Sequence, residues 1–469
     1  MPPSEQRPPT SLWADIVASI AGKQRDYTQG ALGRAILLLA IPMVLEMSMQ
    51  SLFSVVDVYF VARLGTTPVA IVTLTEAILM IVFAIAIGFS MGTTAMVARR
   101  TGEGDPDAAS RTALQAILVG IGIGAIVAAV GVTLPRFLLT LMGGSPELVR
   151  EGSLFFQIIF GGNVTIVLLF LINAIFRGAG DAALAMRALW LANIVNMILD
   201  PVLIFGWGPI PAFGLEGAAI ATTTGRGLGV LYQLWVLTTG RSRIRIDIRA
   251  LGVDWSVMSR LARISAIGIL QFFVSTASFL FLARIMARFG DAALAGHTLA
   301  IRLITFVMLP VWGVGNAAAT LVGQNLGAGK PERAERSVWV TSFVNMCILG
   351  AVGLVFIFAA ESIVGLFPVA DDVATIAANC LRIMAYSYIF WAYGMTTVMA
   401  FNGAGDTTTP TWINFLVYWV LQIPLAWALG VTFGYGPRGV FAAVAICQAV
   451  LAVVGVLVFR RGKWKTRAV

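Results

Sequence analysis

Twelve apolar stretches, each at least about 20 residues long, set the terms on which this chain folds. They run at roughly 35–62, 68–98, 110–134, 150–176, 184–207, 214–238, 260–287, 293–323, 335–359, 374–401, 409–433 and 438–459. Lipid offers a backbone no hydrogen bonds, so segments of this length must satisfy their own N–H and C=O groups as helices. The expectation is an all-α integral membrane protein with twelve transmembrane helices. Only 12% of residues are charged, about half the share of a soluble domain, which excludes a water-soluble fold.

The chain also repeats itself at an offset of 225 residues. "ARLGTTPVAIVTL" around Gly65 meets "ARFGDAALAGHTL" around Gly290, and "RRTGEGDPDAASR" meets "QNLGAGKPERAER". "RGAGD" at 177–181 meets "NGAGD" at 402–406, and "GLEGAA" at 214 meets "GVFAAV" at 439. Matched apolar halves are the arrangement secondary transporters use to hold a substrate between repeats near the bilayer midplane. Six spans per repeat send both halves into the membrane in the same direction, so two six-helix lobes are related by a pseudo-two-fold axis along the membrane normal. The organisation read from this is a segment at 1–30, an N-lobe at 31–238, a linker at 239–259, a C-lobe at 260–460 and a basic tail at 461–469.

Basic residues give the orientation. Of the 32 Lys and Arg, 23 fall in the N-terminus, the even-numbered connections and the C-terminus, among them Arg7, Lys23, Arg25 and Arg249. Both termini and the linker are therefore expected on the cytoplasmic side. The first 30 residues are polar, without the apolar core of a cleavable signal, and the amphipathic stretch 11–20 is expected at the membrane surface. The net charge of +9 is scattered over loops without stacking aromatics, so no nucleic-acid partner is expected.

A charge inside an apolar span costs about 2.5–3.5 kcal/mol on insertion scales and is a functional candidate. Glu46, Asp57, Glu76, Asp200, Arg302 and Arg382 qualify. Glu46 and Asp57 share the first span; 11 residues bring them within about 20° of one face, about 16 Å apart. Gln50 and Ser54 lie near that face, and the stripe suits a cavity wall better than lipid, with a structural polar lock as the alternative. In the fifth span, Asn196 and Asp200 are four apart and face the same way. An amide beside a carboxylate suits binding of a proton or another cation, or alternatively closes the helix before Pro201. Asn173 in the fourth span and Thr222 in the sixth are weak signals alone.

Pro42 and Pro310 each remove a helical hydrogen bond and invite a kink. Glu76 maps by the repeat to position 301, beside Arg302, so an acid and a base stand at similar depths and form a candidate outer gate. His297, the single histidine, is expected to be structural. The "GAGK" at 327–330 lacks the first glycine and the Ser or Thr of a phosphate loop, so no nucleotide site is expected. Cys347, Cys380 and Cys447 have no metal-type spacing and are expected to be buried.

"IPMVLEMSMQSLFSVVDVYFVARLG", the two "GAGD" loops and "NMILDPVLIFG" resemble the multidrug and toxic compound extrusion (MATE) transporters over about residues 30–460. The resemblance implies twelve helices around a central cleft and export of organic, often cationic, compounds in exchange for H+ or Na+. It implies no enzyme activity and no cofactor beyond the coupling ion. Partners are then small organic substrates and the inner-membrane bilayer, with the chain a monomer that needs no protein partner. The acids look like those of the DinF branch, whose N-lobe cation site implies roles for Asp57, Asn173, Asn196, Asp200 and Thr222, with Pro42 as the helix hinge. A Na+ site would draw on Asp57, Asn196, Asp200 and Thr222, with no other metal. Glu46 is an extra acid, and Gln50 is a further candidate. The NorM branch instead carries a Glu in helix seven and an Asp in helix ten, where this chain has Gln271, Ser275 and no acid between Asn379 and Asn402. Rival readings are a lipid-linked saccharide flippase of the same superfamily, which wants more basic residues, and a membrane-embedded transferase, which wants a clustered acid or His–Asp pair.

Across the repeat Asp57 maps to Leu282, Glu46 to Gln271, Asn173 to Val398, Asn196 to Leu421 and Asp200 to Leu425. The coupling ion is therefore expected in the N-terminal half.

Overall fold

A computed structural model describes residues 12–22, 26–247 and 252–467. Arg7, Lys23, Arg25, Arg249 and Ser11, the first residue of the surface stretch, lie outside the described residues. The described chain is helical, with one isolated β-bridge between Trp207 and Ile210.

The helix α1 (Leu12–Ile20) precedes the N-lobe, which comprises α2 (Leu32–Ala62), α3 (Thr66–Glu103), α4 (Pro106–Thr133), α5 (Pro135–Leu141), α6 (Pro146–Gly161), α7 (Asn163–Ala179), α8 (Ala182–Phe205) and α9 (Leu215–Thr239). The C-lobe comprises α10 (Trp255–Ala287), α11 (Asp291–Gly327), α12 (Pro331–Val364), α13 (Asp371–Ala385), α14 (Tyr388–Gly403), α15 (Thr408–Phe415), α16 (Ile423–Trp427) and α17 (Gly436–Arg460). Ten helical spans among the described residues are long and apolar enough to cross a membrane, and α13 with α14, bent by 64°, makes an eleventh. The 25-residue α9 stands where the sixth span is expected; its glycines, threonines, Glu216 and Arg226 leave it less apolar than those.

The fourth expected span is interrupted at Gly162, between α6 and α7. A Cβ there would lie 2.3 Å from Cγ2 of Thr223 on α9, so a larger residue would force that side chain to move. The eleventh span is also irregular, with π-helical turns at Leu416–Gln422 and Ala428–Thr432 on either side of α16. In contrast, α2 runs unbroken through Pro42. Proline leaves the carbonyl four residues back without its partner, and that carbonyl, Leu38 O, accepts from the Ser19 hydroxyl of α1. An ion pair between Asp15 and Arg34 and a bond from Arg187 to Ile20 O (3.0 Å) also hold α1 to the N-lobe. Its Trp13 and Val17, four residues apart and 73% and 50% exposed, present an apolar edge outward.

The repeat is visible in backbone conformation. Gly65 and Gly290 have φ of 111° and 99°, and Gly180 and Gly405 have 84° and 81°. Side-chain-bearing residues resist that region, so both halves turn at matched places.

The lobes meet where α3 crosses α10 and α11 crosses α2. A Cβ on Gly88 would lie 2.5 Å from Ile269 N, and one on Gly313 would lie 2.7 Å from Val44 N. Each pair is the other displaced by 225 residues. Nearer the chain termini, a Cβ on Gly102 would meet Gln324 O at 2.0 Å and one on Gly327 would meet Arg99 O at 2.1 Å, again repeat-related. Ile36, Leu39 and Met43 pack with Val314, Ala317 and Leu321 in the same half. Toward Gly65 and Gly290 no hydrogen bond joins the lobes among the described residues; the closely packed end is the shut end of the bundle and the opposite one its open end.

A short segment straps the shut end. Asp26 accepts from the Thr28 N–H (2.8 Å), the Thr28 hydroxyl (2.7 Å) and Gln29 Nε2 (2.8 Å). From the C-lobe, Lys330 donates to Thr28 O (3.0 Å), and Arg333 donates to Gly30 O and Gln29 O (2.9 Å each). The "GAGK" loop thus serves as a clasp. Partial burial pushes the Asp26 carboxyl up, but the Thr28 bonds with the charges of Arg243 and Lys330 outweigh it and hold it below its ordinary value. A lowered folded value means the carboxylate supports the strap above about pH 3.9 and that support is lost as pH falls through the lowered value. The protection factor of the Thr28 amide should fall on acidification in that range, and an Asp26→Asn variant should show no such step.

Candidate functional site

Two helices of the N-lobe, α2 and α8, carry the acids expected to bind the ion. On α8, Asp200 is 0% exposed and Asn196 2%. Asn196 Nδ2 donates to Thr222 Oγ1 of α9 at 2.9 Å, which fixes the amide so that its oxygen points elsewhere. Asn196 Oδ1 and both carboxylate oxygens of Asp200 are buried without a hydrogen-bond donor. A buried carboxylate without a donor calls for a bound cation or its own proton. These three oxygens, one helical turn apart on one face, are suited to hold either.

Asp57 on α2 is half-buried and acts electrostatically on Asp200. A base that the sequence reading missed faces this group. Arg226 of α9, one turn beyond Thr222, interacts electrostatically with both Asp57 and Glu76. Its signal was present as a charge inside a span, but the Gly- and Thr-rich "TTTGRGLG" reads as weakly apolar. Glu76 on α3 and Arg302 on α11 are both exposed and lie within electrostatic reach, yet no ion pair joins them here. They flank the open end of the cleft.

Asn173 does not join Asp57 and Asp200, contrary to the expectation of one network. It belongs to a second cluster nearer the shut end, where its Nδ2 donates to Glu46 Oε1 at 3.0 Å. Arg177 Nη1 donates to the same oxygen at 2.8 Å, and Gln233 Nε2 donates to Asn173 Oδ1 at 2.7 Å. Glu46 is 1% exposed. The polar stripe on α2 therefore divides: Asp57 faces the cleft, Glu46 is locked in an ion pair, and Gln50 lies between them, partly buried. Arg177 and Gln233 were also missed, the first because it was counted as a loop charge.

The remaining candidates are accounted for locally. Arg382 pairs with Glu361 at 3.0 Å. His297 is buried and stacks on Phe441 with ring centroids 6.0 Å apart, a structural placement. Cys380 and Cys447 are buried, but Cys347 is exposed, in a stripe with Phe343 and Leu354 on the outward apolar face of α12. No group of three or more His, Cys, Asp or Glu that could hold a metal is found among the described residues. Asp181, outside the spans, is raised above its ordinary value by burial, against bonds from the Arg243 N–H (2.8 Å) and the Ser242 hydroxyl (2.7 Å).

The Thr222–Asn196 bond is testable alone. Thr222→Val leaves a buried amide without its acceptor, at a cost of about 1–3 kcal/mol. The thermal unfolding midpoint in detergent should fall, while Thr222→Ser should hold it near the wild-type value.

Comparison with known proteins gives the family and the fold. The MatE family model matches twice, over residues 42–202 and 268–428, starts that lie within one residue of the 225-residue repeat. A probable multidrug resistance protein NorM of Thermotoga maritima is 26% identical over 435 residues, covering 92% of this chain and 93% of that protein. An FAD transporter of Shewanella oneidensis is 25% identical, covering 90% and 93%. A crystal structure of MATE in complex with MaD3S superposes with a TM-score of 0.88 at 26% identity, over 94% of this chain and 98% of that one.

Proposed function

This chain belongs to the MatE family of multi-pass membrane transporters, which are not enzymes, and from that premise we propose that it is a secondary active multidrug exporter driven by H+ or Na+. The observation that carries the reading is the donorless oxygen set of Asp200 and Asn196 beside Asp57. In the open state a cation enters at Asp57 and Asp200, with Asn196 and Thr222 positioning the site. Neutralising Asp57 removes the counter-charge of Arg226 and of any bound cationic substrate, α2 bends near Pro42, and the substrate leaves the cleft. The lobes then rock, Glu76 and Arg302 approach, and the ion leaves through the opposite end.

The basic loops support a topology with both termini on the cytoplasmic side of the inner membrane, in which the open end faces out. The concentration of acids in the N-lobe supports a DinF-like assignment. One charge moved through 100 mV supplies about 2.3 kcal/mol, roughly 50-fold in concentration. If a monovalent drug cation leaves as one proton enters, that electrical term cancels and only the pH gradient drives export. The chain works as a monomer, since one cleft and one ion site lie within it.

Proteoliposomes with separately imposed pH and sodium gradients test this directly. Export of a cationic dye under one gradient is expected; no export under either overturns the reading. Arg226 favours a second reading, in which the substrate carries an anionic group, as FAD does for the Shewanella relative. A lipid-linked saccharide would share that chemistry through its pyrophosphate. Faster export of a flavin dinucleotide than of the dye would establish the second reading.

A further inference from the structure

Glu46 and Asp57 ride on the same helix, yet Glu46 takes no part in the ion site. Its ion pair leads instead toward the other lobe. Arg177 lies in the last turn of α7, and its carbonyl accepts from the Thr320 hydroxyl of α11 at 3.1 Å. The next carbonyl, Gly178 O, accepts from Gln324 Nε2 at 2.9 Å. Thr320 and Gln324 stand one turn apart on the C-lobe helix, and both are buried. A continuous path therefore runs from the Asp57-bearing helix through Glu46 and Arg177 to the C-lobe contact beside Gly102 and Gly327. The repeat does not reproduce it: Glu46 corresponds to Gln271 and Arg177 to Asn402. An ion pair that the second half dispenses with is not required by the scaffold.

We propose that the Glu46–Arg177 pair is a latch that transmits the state of the first helix to the shut end of the bundle. While α2 is straight, Glu46 holds the end of α7 against α11, and Asn173, itself held by Gln233, keeps the carboxylate in register. Glu46 stands one turn beyond Pro42, so bending α2 at the proline withdraws the carboxylate from Arg177 and frees α7 from the C-lobe. Both residues position the helices and touch neither ion nor substrate. This rests on the proposed ion site at Asp57 for its trigger, but not for its geometry.

The test is a distance measurement at the shut end. Spin labels on Asp107 and Glu332, exposed and repeat-related first-turn residues of α4 and α12, are placed in a Cys347→Ser, Cys380→Ala, Cys447→Ala background. Glu46→Gln should raise the ratio of open to shut molecules at that end by at least about tenfold, and Arg177→Gln should do the same. The Glu46→Gln/Arg177→Gln double variant should match either single variant, because one latch is removed once. It leaves no lone buried charge, so it carries the test where a single variant fails to fold. Wild-type distance distributions in the folded variants, or shifts that add in the double variant, overturn the proposal. The measurement needs no gradient or substrate, so loss of dye export in the wild type counts against the transport reading alone.

Discussion

Replacing Asp57 by Asn reduces ion-driven export to passive leak. The substitution keeps size and hydrogen-bonding capacity but removes the only carboxylate in the first helix that faces the cleft. Asp200 remains, yet it then lacks the neighbouring charge of Asp57 that completes the proposed cation site, and Arg226 loses its counter-charge on α2. Both losses act in one direction, toward a site that no longer attracts a cation. Initial rates of dye export in proteoliposomes should fall by about a hundredfold or more, corresponding to about 2.7 kcal/mol of lost coupling. Binding of the cationic dye without a gradient should weaken as well, because the neutral side chain no longer supplies its counter-charge. Export at the wild-type rate would remove Asp57 from the mechanism.

Gly102→Val should hold the molecule open at the end that is shut here. The added Cβ meets Gln324 O at 2.0 Å, with Gln324 C and Cα at 2.7 and 2.8 Å. All three are main-chain atoms of a buried helix, so no rotamer change relieves the clash and the lobes must separate. Overpacking of this kind costs about 1–3 kcal/mol, or roughly 5- to 150-fold in the ratio of shut to open molecules. Gly327→Val should act equally, through Arg99 O at 2.1 Å. Gly122→Val, with nothing near its Cβ, should leave the ratio unchanged. The spin-label pair at Asp107 and Glu332 reads all three. Neither active variant should lower the stability of the C-lobe core, which closes within its own helices, whereas the N-lobe core also takes in Leu261 and Ile264 of α10.

Much of this architecture was legible in the sequence, because lipid removes alternatives. Once a stretch such as 68–98 is apolar for its full length, helix is the sole means of satisfying its backbone, and the repeat then fixes how two such sets are related. The turns were legible for a similar reason: Gly65 and Gly290 hold conformations that few other residues tolerate. The site was legible in part. Asn196 and Asp200 could be paired by helical spacing alone, and the structure leaves their oxygens without donors. Partners on different helices could not be found that way. Asn173 carries no mark that it meets Glu46 rather than Asp57, since that depends on how α7 packs on α2. Arg177 looked like a topology signal because it closes its helix, and only tertiary structure turns its side chain inward to the acid. Pro42 was legible as a break in hydrogen bonding, but not its remedy, which comes from Ser19 outside the spans.

That remedy gives the first lobe a float. Through Asp15, Ser19 and Ile20 the short α1 is fastened to α2 and α8, while Trp13 and Val17 face outward as a helix lying in the headgroup layer requires. Tilting the N-lobe would drag those side chains out of the interface; tilting the C-lobe disturbs no such anchor among the described residues. The two halves that look interchangeable in their turns are therefore unequal, the first carrying α1 directly and the second reaching it only through the bonds of Lys330 and Arg333 to the strap.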